Sequence, residues 1–149
     1  MSDQPNNPLS GTATSREDMD QLKRILKGTK TIAVVGFSDK PDRPSHSVAK
    51  YLQERGYRVI PVNPLVTEVL GEKAYKSLSE IPERVDLVDV FRKSADVPPI
   101  AEEAVRIGAR FFWMQEGVVS DRAREILDAA KIPWVMDRCV MKELAKRGK

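Results

Sequence analysis

The sequence has one cysteine, Cys139, and one histidine, His46. A single cysteine excludes an intramolecular disulfide and a cysteine-rich zinc site. A single histidine leaves a histidine metal cluster without ligands, and a Ser-His-Asp triad would have to use His46. No apolar run approaches the roughly 20 residues needed to cross a bilayer, so no membrane contact is expected. The opening stretch MSDQPNNPLSGTATS has neither a basic start nor an apolar centre and does not read as a secretory signal. The expected compartment is the cytoplasm.

What is present is the balance of a globular protein. Of 149 residues, 41% are hydrophobic and 32% charged. That length suits one domain, able to bury roughly two-thirds of the surface its unfolded chain exposes. The net charge is +3. All of it lies between Lys142 and Lys149, where Lys142, Lys146, Arg147 and Lys149 face Glu143. The rest of the chain is neutral. Nucleic-acid binding needs positive charge spread over a face, and a neutral body does not supply it. The basic end reads as a solvated tail.

Residues 1–15 are rich in Pro, Asn, Ser, Thr and Gly and read as a mobile lead-in, leaving residues 16–149 for the domain. Thr14 with Glu17, or Ser15 with Asp18, offers a capping box. Met19, Leu22, Ile25 and Leu26 follow at helical spacing, with Gly28 as a stop. Five short apolar runs come next: Thr31–Val35, Tyr57–Val62, Val85–Phe91, Arg110–Met114 and Pro133–Met136. Their starts are one strand plus one crossover helix apart. Between them, Ser45 or Ser47 caps a helix running to Arg55, and Gly56 ends it. Ser94 caps a helix carrying Val97, Ile100, Ala101, Ala104 and Val105. Ser120 caps one carrying Ala123, Ile126, Leu127 and Ala130. Ser77 and Glu80 mark a short helical turn.

Continuous apolar strands separated by amphipathic helices predict an α/β fold. The expectation is a single Rossmann-like, doubly wound domain with a five-stranded parallel sheet in the order 3-2-1-4-5 and helices on both faces.

Such sheets bind ligands beyond the carboxyl ends of their strands, where the strand order reverses. The segment after the first strand is the informative one. Gly36 permits a tight turn and close backbone approach. The loop then enters a helix N-terminus, whose free N–H groups and dipole favour phosphate. Ser38 and Ser45 add hydroxyls, and Lys40 and Arg43 add charge. A pyrophosphate ligand fits this set. The loop lacks G-x-G-x-x-G, and Val62-Asn63-Pro64 stands where NAD would need an acid. NAD is disfavoured and NADP is left open.

Five motifs occur in order: Gly36-Phe37-Ser38 through Arg43-Pro44-Ser45, Val59 through Pro64, Val85 through Arg92, Trp113 through Gly117, and Val135 through Cys139. Together they resemble the small stand-alone CoA-binding proteins. Those are similar to the CoA-binding domain of the succinate–CoA ligase alpha subunit and of ADP-forming acetate–CoA ligases. The resemblance covers about residues 20–145.

It implies coenzyme A, or an acyl-CoA, as the ligand. Gly36, Phe37, Ser38, Lys40, Arg43, Pro44 and Ser45 would hold the phosphates, plausibly the 3′-phosphate among them. Val62, Asn63 and Pro64 would line the adenosine side. Phe91 and Arg92 would wall the opposite side, and Gln115 and Gly117 would lie nearer the pantetheine arm. The ligases carry a phosphorylated histidine in a further domain. Here His46 sits on the first loop-helix, so the resemblance implies binding without the ligase reaction. The alternative is a small enzyme acting on a CoA ester, or an NADP-dependent oxidoreductase, that uses Arg92, Glu116 or Cys139. A partner protein or a homo-oligomer stays open.

Overall fold

The computed structural model describes residues 16–146. The expected lead-in, both versions of the first capping box, and the tail residues Arg147 and Lys149 rest on residues outside that range, as does the side chain of Met19.

The first helix, α1 (Arg16–Gly28), ends at the expected glycine and buries Leu22, Ile25 and Leu26. It leads into β1 (Thr31–Val35), after which come α2 (Pro44–Glu54) and β2 (Arg58–Val62). A small antiparallel hairpin, β3 (Glu68–Val69) and β4 (Glu72–Lys73), follows. The chain continues through a 3-10 turn at Leu78–Glu80 into β5 (Leu87–Val90), then α3 (Val97–Arg106), β6 (Phe111–Met114), α4 (Asp121–Ala129), β7 (Trp134–Val135) and α5 (Val140–Lys146). No described helix is long and apolar enough to cross a membrane.

Five strands form one parallel sheet, each inside one of the five apolar runs. Alternate residues face opposite sides, as a two-residue period requires. Ile32, Val34, Leu87, Phe111 and Trp113 pack with Leu22 and Ile25 of α1, Val48 and Leu52 of α2, and Val140 and Leu144 of α5. Ala33, Val35, Val88, Phe112 and Met114 pack with Ala101 and Ala104 of α3 and Ala123 and Leu127 of α4. Both faces of the sheet are thus covered by helices.

The strand order corrects the expectation. It is β2-β1-β5-β6-β7, so the third apolar run lies beside the first and not outside the second. The reason is at the free edge of β2. Tyr75 N–H donates to Pro61 O at 3.0 Å, and Asn63 N–H donates to Tyr75 O at 2.9 Å. This returning segment takes that edge, and Pro61 has no N–H for a longer ladder there. The chain therefore crosses to the other side of β1, and β5 pairs with it from Ile32↔Leu87 to Val35↔Val90.

Capping also differs in three places. Ser120 caps α4 as expected, its Oγ accepting from Ala123 N–H at 3.1 Å. At α2 the cap position is Arg43, without a side-chain bond, and Pro44 opens the helix, where its missing N–H costs nothing. Ser94 does not cap α3. Its Oγ accepts from Val119 N–H at 2.9 Å and so ties two loops together. Ser77 makes no side-chain cap, and Glu80 Oε1 instead accepts from Lys76 N–H at 3.4 Å. At α5, Val140 and Leu144, four residues apart, are buried, while the side chains of Lys142 and Lys146 stay exposed to solvent as expected.

Candidate functional site

The sheet reverses its winding between β1 and β5. A cleft of about 770 Å³ opens there, at the carboxyl ends of the strands. That is the size range of small-molecule sites.

One wall is the loop from β1 to α2. Gly36 has φ +88°, and a Cβ on it would lie 2.5 Å from Phe91 O and 2.9 Å from Arg92 Cδ. Glycine is needed here so that the ends of β1 and β5 can meet, and its N–H also bonds to Val62 O at 3.0 Å. Beyond it the loop is shaped by its own hydroxyls. Ser45 Oγ accepts from Ser38 N–H at 2.9 Å, and Ser38 Oγ accepts from Lys40 N–H at 3.1 Å. Each hydroxyl spends a lone pair on the backbone and keeps its proton to donate. Pro44 and Ser45 put the N-terminus of α2 on the cleft, with no acidic residue in the first turn to offset its positive end.

The opposite wall is Phe91, Arg92 and Lys93, and the floor includes Gln115, Val118 and Cys139. Gln115 is buried, and its Oε1 accepts from Val140 N–H at 3.2 Å, which fixes the start of α5. Asn63 closes the β2 side. Its Nδ2 donates to Phe37 O and its Oδ1 accepts from Leu65 N–H, both at 2.8 Å, so it clips the first and second loops together.

Charge around the cleft divides into paired and unpaired groups. Arg92 is held by Asp96 at 3.0 Å and Glu116 by Lys142 at 3.0 Å. The Glu116 carboxylate, as hydrogen-bond partner and then as opposite charge, raises the Lys142 pKa. Lys40, Arg43 and Lys93 line the cleft with no ion pair among the described residues. The site therefore offers cations and hydroxyl protons to an anion.

Ten of the expected residues line this cleft: Gly36, Ser38, Lys40, Arg43, Pro44, Ser45, Asn63, Phe91, Arg92 and Gln115. Four do not. Phe37 and Val62 are buried in the core, because they alternate inward next to residues that face the cleft. Pro64 lines a neighbouring cleft. Gly117 sits at the rim, its N–H held by Asp137 Oδ1 at 2.7 Å. Sequence reasoning passed over Asp39, Val48, Leu65, Val66, Lys93 and Val118. Lys93 was recoverable as the second of two cations after a strand, and Leu65 as an apolar residue inside a loop.

Residues weighed for other chemistry are also placed. His46 is half-buried against the edge of Phe37, ring centroids 6.0 Å apart, and does not line the cleft. Arg138 meets the carboxylate of Glu143 at 3.1 Å, both side chains buried.

A family model described as a CoA binding domain matches residues 30–145. An uncharacterized protein of Bacillus subtilis, YneT, is 47% identical over 120 residues, 80% of this chain and 89% of that protein. The alpha subunit of ADP-forming acetate–CoA ligase II of Pyrococcus furiosus is 51% identical over 57 residues, 38% of this chain but only 12% of the ligase subunit. Among solved structures, a hypothetical protein from Pyrococcus horikoshii OT3 superposes with a TM-score of 0.85 at 36% identity, over 98% of each chain. The cleft at the β1–β5 junction thus sits in a chain that belongs to the CoA-binding domain family, homologous to the CoA-binding region of ADP-forming acetate–CoA ligases.

Proposed function

We propose that the cleft binds coenzyme A or an acyl-CoA and that the chain is a binding module without its own catalysis. One observation carries this reading. The hydroxyls of Ser38 and Ser45, held by backbone N–H groups, stand at the N-terminus of α2 beside Lys40 and Arg43, two cations without an ion pair among the described residues. CoA carries a pyrophosphate and a 3′-phosphate, and charge-assisted hydrogen bonds to such groups are the strong ones. The pyrophosphate would take Ser38, Ser45 and the start of α2, with Lys40 and Arg43 neutralising it. The arm would run past Phe91 towards Gln115 and Val118, leaving its thiol or thioester near Cys139 and Glu116. The binding unit is read as residues 16–149, and the compartment as the cytoplasm.

The non-catalytic part rests on how the candidate groups are engaged. Arg92 is paired with Asp96 and Glu116 with Lys142, and Cys139 is buried. A base or nucleophile would need to be freed from these contacts before it could act.

Calorimetric titration of the purified protein with CoA, with NADP and ATP as comparators, tests the reading. Binding of CoA at micromolar concentration or tighter, with both comparators weaker, is the expected result. No CoA binding, or a preference for NADP, overturns it. Turnover of an acyl-CoA that Glu116→Gln or Cys139→Ser abolishes while binding survives would replace the module with the small enzyme.

A further inference from the structure

Cys139 is the one cysteine of the chain, and its thiol is free. It is 6% exposed and lines the cleft, so a reagent reaches its sulfur by entering there. Gln115 stands beside it. The Gln115 Oε1 accepts at 3.2 Å from the N–H of the peptide that joins Cys139 to Val140. That bond identifies the amide oxygen, because an N–H must meet an acceptor. It leaves Nε2 on the other side of the amide. Gln115 is 5% exposed and lines the same cleft, and its Nε2 has no hydrogen-bond partner among the described residues. This amide donor is therefore left to whatever fills the cleft. The last carbonyl of a pantetheine arm is a matching acceptor, and the arm's sulfur lies one short ethylene link beyond it. Lys142, three residues on from Cys139, pairs with Glu116 of the cleft lining and also interacts electrostatically with Cys139.

A thiol, an amide donor and a cation thus gather where a sulfur-tipped arm would end. We propose that Cys139 is a site of thiol–disulfide exchange with CoA disulfide, holding one CoA in the cleft as a mixed disulfide. The inference rests on the CoA reading of the cleft. Cys139 Sγ gives up its proton and attacks one sulfur of the CoA disulfide. A bond forms between Sγ and that sulfur, and the bond between the two CoA sulfurs breaks. The second CoA leaves as a thiolate and takes up the proton. Cys139 is oxidised, the departing CoA is reduced, and no other oxidant is needed. The chain has no second cysteine to displace the held CoA, so the adduct lasts until an external thiol reduces it. The step is stoichiometric, and the chain remains a binding module.

Intact-mass spectrometry of the reduced protein reads the exchange. The reagents are CoA disulfide and pantethine, the disulfide of the same arm without the nucleotide. With CoA disulfide the mass is expected to rise by one CoA less two hydrogens, at Cys139, and to return with dithiothreitol. The reaction should run at least about tenfold faster than with pantethine, because the phosphates hold the reagent in place. Saturating desulfo-CoA, which lacks the sulfur, should slow it by at least about tenfold, because the thiol is reached through the occupied cleft. No adduct, equal rates for the two reagents, or an adduct that desulfo-CoA does not slow overturns the inference. Calorimetric binding of reduced CoA in the same preparation then keeps the CoA reading intact. A protein that does not bind reduced CoA removes that reading and this inference with it.

Discussion

The two ends of the parallel sheet treat charge differently. At the amino end Asp86, Arg110 and Arg58 are engaged by the protein itself. Asp86 Oδ2 accepts from the N–H groups of Lys30 and Thr31 at 2.9 and 3.1 Å, at the entry to β1. Arg110 donates to Gly28 O at 3.0 Å, at the end of α1. Arg58 joins Glu83 at 2.6 Å and also pairs with Glu72. At the carboxyl end, Lys40, Arg43 and Lys93 stand around an open cleft without such partners. Burying or ordering a charge is costly unless it is paired. At the amino end these groups meet that requirement within the chain, and at the carboxyl end Lys40, Arg43 and Lys93 stay outside any ion pair among the described residues. Polar groups at the first end should therefore govern stability, and those at the second should govern binding.

Gly36 is the point where this separation should fail, because it belongs to both. Gly36→Ala forces a side chain into Phe91 O at a positive φ. Overpacking together with an unfavourable backbone conformation should cost about 3–5 kcal/mol of stability. Urea denaturation should show the loss, and calorimetry the accompanying loss of CoA binding. A folded Gly36→Ala protein of near wild-type stability would break the account of this junction.

Arg43→Ala should do the opposite, weakening CoA by about 1.5–3 kcal/mol, the scale of a charge-assisted hydrogen bond, with the thermal midpoint unmoved. The loss should be the same for dephospho-CoA if Arg43 serves the pyrophosphate. A loss confined to CoA would move Arg43 to the 3′-phosphate, and no loss would take it out of the site.

Asp86→Ala is the matching test at the amino end. It leaves the N–H groups of Lys30 and Thr31 without their acceptor and removes the carboxylate that lies 3.8 Å from Arg110, so about 1–2 kcal/mol of stability should go while CoA affinity stays. A change in affinity instead of stability would reverse the comparison.

Asp89 gives the most specific expected effect. It lies on β5, three residues after Asp86, but is fully buried, and neither carboxylate oxygen has a hydrogen-bond partner among the described residues. Desolvation by that burial pushes its pKa well above the usual carboxylate range. An unfolded aspartate ionises near pH 4, so the folded state holds a proton that the unfolded state has released. Its contribution is fully present below about pH 4 and declines as the pH rises towards the folded pKa. Asp89→Val should therefore stabilise the protein, by about 1.4 kcal/mol more for each pH unit between the unfolded and folded pKa, so the gain at neutral pH should exceed that at pH 5. Urea midpoints at pH 5 and pH 8 measure this, and a pH-independent difference would show that Asp89 is not held protonated.

Much of this arrangement was legible before the fold was known. The apolar runs at Thr31–Val35 and Val85–Phe91 read as buried strands because β-branched and other apolar residues dominate both faces of each run, as a strand covered on both sides requires. The stripe of Val97, Ala101 and Ala104 read as a helix face for the same local reason. Gly36 with Ser38, Lys40 and Arg43 read as a phosphate loop because donors, cations and a helix start lie within ten residues. The hairpin β3–β4 was not legible, since its strands are two residues each and no periodicity can show in so short a segment. Phe37 and Val62 were expected at the cleft because their neighbours Gly36, Ser38 and Asn63 line it. Side-chain direction alternates, and which phase faces the ligand depends on how the loop turns after the strand.

What the sequence by itself determined was the five strands of the sheet, the helices α1 to α4, the parallel α/β class and the loop that gathers Ser38, Lys40 and Arg43 after the first strand. Each of these depends on residues close together in the chain, so periodicity and loop chemistry suffice. Only the tertiary structure decided that β5 lies beside β1, that Lys93 faces Arg43 across one cleft, and that a second cleft opens behind Leu65. Those outcomes turn on a single edge. Once Tyr75 has taken the free side of β2, the next strand has one place left to pair, and the walls of the site follow from where it goes.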